Sequence, residues 1–73
     1  MDVRTEILTQ ATRLFAEQGY DGTSVQEIAD AVGIRKPSLL YHFKSKDELR
    51  ENVLAEMLAH WNAVLPGLLL KAS

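Results

Sequence analysis

Apolar residues recur along the first part of the chain at spacings of three and four, the period of an α-helix that buries one face. These positions are Val3, Ile7, Leu8, Ala11, Leu14 and Phe15. They predict a first helix that ends at Gly19, which we expect to be a left-handed residue just past the helix. The run GYDGTS, which begins at this glycine, is rich in turn-forming residues and predicts a connecting turn.

A capping signal opens a second helix. Ser24, with Glu27 three positions later, matches the S-x-x-E capping box, in which each side chain accepts a hydrogen bond from the backbone N–H of the other residue. An apolar stripe and a closing glycine follow at Val25, Ile28, Ala29, Val32 and Gly33. The pattern therefore predicts a second helix of only about two turns.

A third helix begins close behind the second. Pro37 fits the first turn of a helix because its missing N–H would have no partner there, and only three residues separate it from Gly33. So brief a joint between two short helices is typical of a helix-turn-helix. The positions expected to face the core are Leu39, Leu40 and Phe43. The free side is expected to carry Ser38, Tyr41 and His42.

A fourth, longer helix is predicted after a second S-x-x-E box at Ser45 and Glu48. Its apolar face runs over Leu49, Val53, Leu54, Met57, Leu58, Trp61, Val64 and Leu65, and we expect it to end near Pro66 and Gly67. Three short helices can cover only the early part of such a face. Met57, Trp61 and Leu65, with the leucines at 68–70, are therefore expected to need a further partner, as a dimer or interdomain face.

The predicted fold is all-α: a homeodomain-like three-helix bundle with a helix-turn-helix, followed by a longer fourth helix. The chain has 73 residues, enough for a single core, and no cysteine, which excludes disulfides and thiolate metal sites. No apolar run approaches the length of about 18 residues that a membrane span needs, and the N-terminus is too charged for a signal peptide. We expect a cytoplasmic protein with no membrane partner and no cofactor.

Charge is unevenly distributed along the chain. The net charge is −2, which by itself argues against a polyanionic partner, because nucleic-acid-binding domains are usually basic. Residues 35–50, however, hold five basic and two acidic residues, whereas residues 1–34 hold two basic and six acidic ones. The positive charge therefore surrounds the predicted third helix.

The third helix has the chemistry of a DNA reader. In helix-turn-helix docking, the N-terminal part of the second helix of the motif meets base edges in the major groove. Lys36 can donate to guanine N7 and O6, Ser38 can bond to several base edges, and the Pro37 ring can touch a thymine methyl. Phosphate contacts are expected from Tyr41, His42 and Lys46, and at the start of the second helix from Thr23, Ser24 and the free backbone N–H groups.

Plainer interpretations remain open at this point. Arg35 and Lys36 are equally well explained as solvated charge, and Tyr41 and His42 as half-buried packing residues. The long apolar face of the fourth helix equally supports a protein-interaction module that binds another helix.

Enzyme activity is not expected from the sequence. Ser38 and His42 lie four apart on one predicted helix, but no carboxylate is placed to orient the histidine. Glu56 and His60 share a helix face as two metal ligands, which is too few for a site.

The run TSVQEIADAVGIRKPSLLYHFKSKDEL resembles the helix-turn-helix of the TetR family of bacterial transcriptional repressors, and the likeness extends over residues 3 to about 60. The family pattern F-A-x-x-G-Y/F-x-x-T-S/T is matched by Phe15, Ala16, Gly19, Tyr20, Thr23 and Ser24. The pattern I-A-x-x-A/L-G-V/I is matched by Ile28, Ala29, Gly33 and Ile34, with a hydrophobic variant at Val32. The pattern L-Y-x-H-F-x-S/N-K-x-x-L is matched by Leu39, His42, Phe43, Ser45, Lys46 and Leu49.

The resemblance implies a helix-turn-helix at about residues 24–43 and assigns roles to particular residues. Base contacts fall on Gln26, Lys36, Pro37, Ser38 and Tyr41. Phosphate contacts fall on Thr23, Ser24, His42 and Lys46, to which we add the neighbouring cations Arg35 and Lys44. Leu40 stands where the family most often has a DNA-contacting tyrosine, and Arg35 where it often has a small helix-capping residue.

The resemblance also implies a larger protein. Family members have a C-terminal helical domain that binds a small effector and forms the homodimer, which engages a palindromic operator in double-stranded DNA. We therefore expect residues 1–46 to form the DNA-binding domain and residues 47–73 to form a connecting helix and the start of that second domain. On this interpretation, the chain is the DNA-binding part of an effector-released repressor.

Overall fold

A computed structural model describes the backbone of residues 2–72 and the side chains of residues 2–64. Over that range the chain forms four α-helices and no strand: α1 (Val3–Gln18), α2 (Val25–Val32), α3 (Lys36–His42) and α4 (Lys46–Ala72). Helix α1 packs against α2 and α4, and α2 packs against α3. The predicted all-α class and the order of the four helices are therefore confirmed.

Each helix contributes to one hydrophobic core. The buried apolar residues are Ile7, Leu8, Ala11 and Leu14 of α1, Ile28 and Ala29 of α2, Leu39 of α3, Phe43 after it, and Leu49 and Val53 of α4. Burying one large apolar side chain stabilises a domain by about 1.5–3 kcal/mol, so the few members of so small a core each matter. Of the residues predicted for the inner face of α1, Val3 is exposed, because it lies at the very start of the helix.

The predicted signals at the ends of α2 are confirmed. The Ser24 hydroxyl accepts a hydrogen bond from the Glu27 N–H, and the Glu27 carboxylate accepts one from the Ser24 N–H, so the capping box is complete. Gly33 closes the helix in the left-handed conformation, with φ 85° and ψ 28°, and its N–H donates to the carbonyl of Ala29.

Three predicted helix ends differ in detail. Gly19 has a positive φ of 80° but an extended ψ of 163°, so it is not left-handed helical; it leads the chain away from α1 into the turn. The Ser45 hydroxyl accepts from the Glu48 N–H as predicted, but the Glu48 carboxylate accepts from the Lys44 N–H instead of the Ser45 N–H. This hydrogen bond links Lys44, in the turn after α3, to the first turn of α4.

The third difference is the length of α4. The helix was expected to end near Pro66 and Gly67, and it continues to Ala72. A proline inside a helix removes one backbone hydrogen bond, and its ring crowds the carbonyl four residues earlier, which kinks or breaks the helix. In α4 the helix continues through Pro66 and Gly67, so these two residues do not end it.

The turn between α1 and α2 depends on a buried threonine. Thr23 is 2% exposed. Its hydroxyl lies 2.9 Å from the carbonyl oxygen of Gly19 and 3.2 Å from that of Leu14, and it accepts a hydrogen bond from Gln18 Nε2. The same amide nitrogen reaches the Gly22 carbonyl and the Glu27 carboxylate. Gln18 and Thr23 thus connect the end of α1 to the start of α2.

Gly22 occupies the tightest position of this turn. A β-carbon built on Gly22 would lie 2.3 Å from the carbonyl oxygen of Gln18, well inside van der Waals contact. Because the obstructing atom belongs to the backbone, it cannot move aside without disturbing the end of α1.

We expect Gly22→Ala to destabilise the chain by about 1–3 kcal/mol, the usual range for forcing extra volume into a packed site. Asp21→Ala, a change at the neighbouring exposed residue, should alter stability by no more than about 0.5 kcal/mol. Urea unfolding followed by far-ultraviolet circular dichroism measures both changes. Equal stability of the two variants would show that the turn tolerates a side chain at position 22.

Hydrogen bonds to the Glu27 carboxylate lower its pKa. The largest cause is the hydrogen bond from the Gln18 side chain, followed by the one from the Ser24 backbone, and the Lys46 ammonium contributes by charge attraction. A depressed carboxyl pKa stabilises the fold above the pKa of the unfolded chain. That contribution is lost as the pH falls through the folded pKa.

A nuclear magnetic resonance titration should therefore give Glu27 a pKa below its ordinary value of 4.5. Gln18→Ala removes the largest cause and should raise that pKa.

Glu27→Gln keeps an N3 side chain that can accept the Ser24 N–H but does not titrate. Its stability relative to the parent should be independent of pH above about pH 5 and should improve as the pH falls below about 4.5. A parallel loss of stability in both proteins on acidification would contradict the assignment.

Candidate nucleic-acid interface

Helix α3 presents one fixed face to solvent. Leu39 and Phe43 are 0% and 1% exposed, and Leu40 packs against the core from its edge. The opposite face carries Ser38 and Tyr41, of which Tyr41 is 74% exposed. The predicted core side is thus confirmed, and the predicted free side is confirmed at Ser38 and Tyr41, whereas His42 is half-buried.

The start of α3 carries two cations, Arg35 and Lys36, and has no side-chain cap. Arg35 occupies the N-cap position with an extended backbone, and its side chain makes no capping hydrogen bond. Pro37 lies in the first turn, as predicted, and the first helical bonds run from the N–H groups of Ser38 and Leu39 to the Arg35 carbonyl. The Arg35 side chain is exposed and has no hydrogen-bond or salt-bridge partner among the described residues, so its guanidinium can donate to a partner outside the domain.

All five residues predicted to touch base edges are exposed: Gln26 on α2, and Lys36, Pro37, Ser38 and Tyr41 on α3. Within the part of the chain whose side chains are described, Lys36 and Ser38 make no side-chain hydrogen bond. Gln26 is the exception, because its Nε2 donates to Asp30 Oδ1 at 2.9 Å. That bond turns the amide oxygen of Gln26 away from Asp30, where it can accept from another donor.

The residues predicted to touch phosphates differ in exposure. Ser24, Arg35 and Lys44 are exposed, whereas His42 and Lys46 are half-buried. The rings of His42 and Tyr41 meet edge to face at 5.3 Å, and the Lys44 ammonium lies 3.4 Å from the Tyr41 carbonyl oxygen. The Tyr41 and Lys44 side chains therefore lie side by side at the end of α3.

Thr23 does not fit the predicted phosphate contact. Its side chain is buried and its hydroxyl is engaged with backbone carbonyls at the end of α1, so it cannot reach a ligand at the surface. The threonine of the T-S pair is a turn residue, and the serine beside it is the exposed one.

The start of α2 combines a cap with open donors. The capping box engages the N–H groups of Ser24 and Glu27, and the first helical bond runs from the Ile28 N–H to the Ser24 carbonyl. The N–H groups of Val25 and Gln26 have no acceptor among the described residues. Together with the proton of the Ser24 hydroxyl, they form a set of donors at a helix N-terminus, where an anion is favoured.

Arg4 of α1 contacts Phe43, the residue after α3, and Asn52 of α4. Its guanidinium lies 5.2 Å from the centre of the Phe43 ring and donates to the Asn52 side chain at 3.1 Å. The Asn52 amide in turn donates to the Glu48 carbonyl. The residue after α3 is therefore held against both α1 and α4.

Tyr20 was noted in the sequence only as part of the family pattern, and no role at this interface was predicted for it. Its ring centre lies 4.2 Å from Lys46 Nζ and 4.5 Å from Arg50 Cζ, and its hydroxyl donates to the Asp47 carboxylate. This cluster could not be predicted from the sequence, because Tyr20 and Asp47 are 27 residues apart and no local sequence pattern indicates that they are in contact.

The apolar face of α4 remains uncovered where its partner was expected. Leu54, Met57, Leu58 and Trp61 are between 46% and 63% exposed. An apolar groove of about 270 Å³ lies beside them between α1 and α4, lined mainly by Phe15, Ala16, Val53, Leu54 and Met57. Leu65, predicted to extend this face, falls outside the described side chains, as do the leucines at 68–70.

The described residues contain neither a membrane-spanning helix nor a cluster of metal-binding side chains. No helix is both long and apolar enough to cross a membrane. No three His, Cys, Asp or Glu side chains come close enough together to hold a metal ion.

Known proteins are similar to this chain over most of its length. The family described as bacterial regulatory proteins, tetR family, matches residues 7–53. The HTH-type transcriptional repressor KstR2 of Mycolicibacterium smegmatis is 46% identical over 55 residues, which cover 75% of this chain and 27% of KstR2. The biofilm operon icaADBC HTH-type negative transcriptional regulator IcaR of Staphylococcus aureus is 47% identical over 49 residues, 67% of this chain and 26% of IcaR.

A solved structure has the same fold. The crystal structure of a TetR-family transcriptional regulator from Mesorhizobium loti matches with a TM-score of 0.80 and 35% identity, over 85% of this chain and 31% of that one. The chain thus spans between about a quarter and a third of the length of these proteins. Sequence and fold agree over the helix-turn-helix, and the chain belongs to the TetR family of bacterial regulatory proteins.

Proposed function

We propose that this chain binds double-stranded DNA sequence-specifically, as the DNA-binding part of an effector-released transcriptional repressor. The observation that carries the proposal is the exposed N-terminal half of α3, which is cationic and hydrogen-bonding and is fixed by the burial of Leu39 and Phe43. In helix-turn-helix docking this part of the helix enters the major groove. Its relatives KstR2 and IcaR are a transcriptional repressor and a negative transcriptional regulator, which supports repression as the direction of regulation.

Base recognition is assigned to five exposed side chains. Lys36 donates to guanine N7 and O6, Ser38 bonds to a base edge, and the Pro37 ring contacts a thymine methyl. Gln26 and Tyr41 reach neighbouring bases. The hydrogen bond from Gln26 to Asp30 leaves the Gln26 amide oxygen as an acceptor, which suits the exocyclic amino group of adenine or cytosine.

Backbone contacts are assigned to the groups on either side of α3. The Ser24 hydroxyl and the N–H groups of Val25 and Gln26 face one phosphate, and Lys46 neutralises charge beside them. Arg35, Lys44 and His42 reach further phosphates along the strand. These contacts set the orientation of the domain without reading the sequence.

The remaining partners belong to the longer protein that the length of the relatives suggests. A homodimer would place two copies of α3 on the halves of a palindromic operator, about one helical turn of DNA apart or a multiple of it. Release by a small effector requires a second domain. Because its target is chromosomal, the protein would act in the bacterial cytoplasm, as a regulator without catalytic activity or a cofactor.

Two lysine substitutions test the docking. Lys36→Ala should reduce discrimination between the operator and a variant with the contacted guanine replaced, by about 1–3 kcal/mol. Lys46→Ala should weaken binding to all sequences alike and reduce the slope of log affinity against log salt by about 0.9. Fluorescence anisotropy titrations at several salt concentrations measure both, on an operator half-site first obtained by selection from random duplex DNA.

Arg13→Ala provides the matched control. It removes an exposed cation whose described partners are Gln10 and Glu17 on α1 itself, and it should leave affinity and salt slope close to those of the parent. Unchanged binding in Lys36→Ala and Lys46→Ala, with the fold intact, would rule out the proposed docking.

The exposed face of α4 supports a second function in protein association. A patch of large apolar side chains that includes Met57 and Trp61 is typical of a surface buried in a longer protein or in a dimer. Helix-to-helix packing is the mode such a face fits. This function is compatible with DNA binding, because the face lies beyond the start of α4 that is assigned to phosphate.

The chain should therefore self-associate as its concentration rises, and Trp61→Ala should abolish that association without unfolding the domain, since Trp61 is half-exposed. Sedimentation equilibrium over a wide concentration range measures the effect, with Glu51→Ala as a control at an exposed polar position of the same helix. A parent chain that stays monomeric throughout would count against the association function.

A further inference from the structure

Three side chains from the first two turns of α4 converge on Tyr20, which lies in the turn between α1 and α2. The ammonium of Lys46 and the guanidinium of Arg50 lie 4.2 and 4.5 Å from the centre of the ring. The carboxylate of Asp47 accepts the hydrogen bond of the Tyr20 hydroxyl. The ring itself is fixed from below by Phe15, whose centroid is 5.4 Å away at a tilt of 53°.

The ring holds Lys46 by a contact that leaves its hydrogen-bond donors unused. A cation over an aromatic face is attracted by the negative potential of that face. Donation of the hydroxyl proton to Asp47 pushes electron density into the ring and strengthens this attraction. Within the described part of the chain, Lys46 forms no salt bridge and no side-chain hydrogen bond. Its ammonium is therefore placed in advance, yet it can still donate to an external acceptor.

The same contact places Lys46 close to the start of α2. Tyr20 lies in the turn that leads into α2, where its carbonyl accepts a hydrogen bond from the Thr23 N–H, next to the N-cap residue Ser24. The charge of Lys46 also contributes to lowering the pKa of Glu27. Glu27 belongs to the capping box with Ser24, beside the N–H groups assigned to phosphate. A cation held here offsets the Glu27 carboxylate, which would otherwise repel an incoming phosphate.

We infer that Tyr20 is a positioning residue for DNA binding, whose ring holds the Lys46 ammonium at the start of α2 so that lysine and helix N-terminus meet one phosphate together. The inference rests on the proposed function. A lysine has a long, mobile side chain that loses conformational freedom when it binds. By restricting Lys46 before DNA arrives, Tyr20 removes part of that loss from the binding step.

A double-mutant cycle between positions 20 and 46 tests this role. Tyr20→Leu removes the ring and should weaken DNA binding about two- to fivefold, the range expected for an exposed cation–π contact. In the Lys46→Ala background the same change should alter affinity by less than about twofold, because the side chain that Tyr20 positions is gone. Tyr20→Phe keeps the ring and should bind within about twofold of the parent.

The double-mutant cycle distinguishes a role of Tyr20 in positioning Lys46 from a purely structural role of Tyr20 in the fold. A purely structural role for Tyr20 would weaken binding equally with and without Lys46, and that result would overturn the inference. An unchanged affinity in Tyr20→Leu would overturn it as well. Loss of Lys46 without any effect on binding would instead contradict the phosphate contact in the proposed function, so the two failures are distinguishable. All titrations use protein shown to be folded by circular dichroism, and Tyr20→Met replaces the leucine variant if that variant is unfolded.

An independent measurement needs no DNA. The ε-methylene protons of Lys46 should resonate upfield of those of exposed Lys36 in the parent chain, because the Tyr20 ring current shields them. The shift should persist in Tyr20→Phe and vanish in Tyr20→Leu or Tyr20→Met. A Lys46 signal that coincides with that of Lys36 in the parent chain would remove the basis of the inference.

Discussion

The burial of Leu39 and Phe43 is the constraint on which the rest of the interface depends. Helix α3 has seven residues, far fewer than the dozen or more at which an isolated helix becomes even marginally stable in water. It exists because these two side chains are sealed in the core, at 0% and 1% exposure. The same packing decides which face of α3 remains free, so the stability of the helix and its orientation toward a partner have one cause.

A net negative chain can bind a polyanion only if its charges are segregated, and the fold achieves this at short range. The six acidic residues before position 35 include Glu27, which lies at the start of α2 because the capping box needs a carboxylate or amide there. That carboxylate would repel a phosphate at the same helix end, where the proposed docking places one. The Lys46 ammonium, which lies over the Tyr20 ring in the turn before α2, would offset this repulsion.

Most features determined by near neighbours could be predicted from the sequence, but the conformation of Gly19, the partner of the Glu48 carboxylate and the end of α4 could not. Features determined by distant neighbours were not predicted. The helical period, the Ser24–Glu27 box and the end of α2 at Gly33 each depend on residues within four positions, and each was predicted correctly. The burial of Thr23 depends on the end of α1, and the role of Tyr20 depends on α4, so both escaped notice. The proposed DNA contacts came partly from family resemblance, and they stay predictions. Most of these residues are exposed, His42 and Lys46 are half-buried, and the buried Thr23 does not fit its predicted contact.

The length of α4 connects the two surfaces of the domain. Lys46 lies at its first residue and Met57 eleven positions later, a rise of about 16 Å along one continuous helix. A helix of this kind moves largely as a unit, so a partner that packs against Met57 and Trp61 and shifts α4 would also shift Lys46 relative to Tyr20. In the proposed docking, Lys46 donates to a phosphate over hydrogen-bonding distance, so even a small displacement of the start of α4 would weaken that contact. A partner bound at the apolar face would therefore change the proposed phosphate contact through α4.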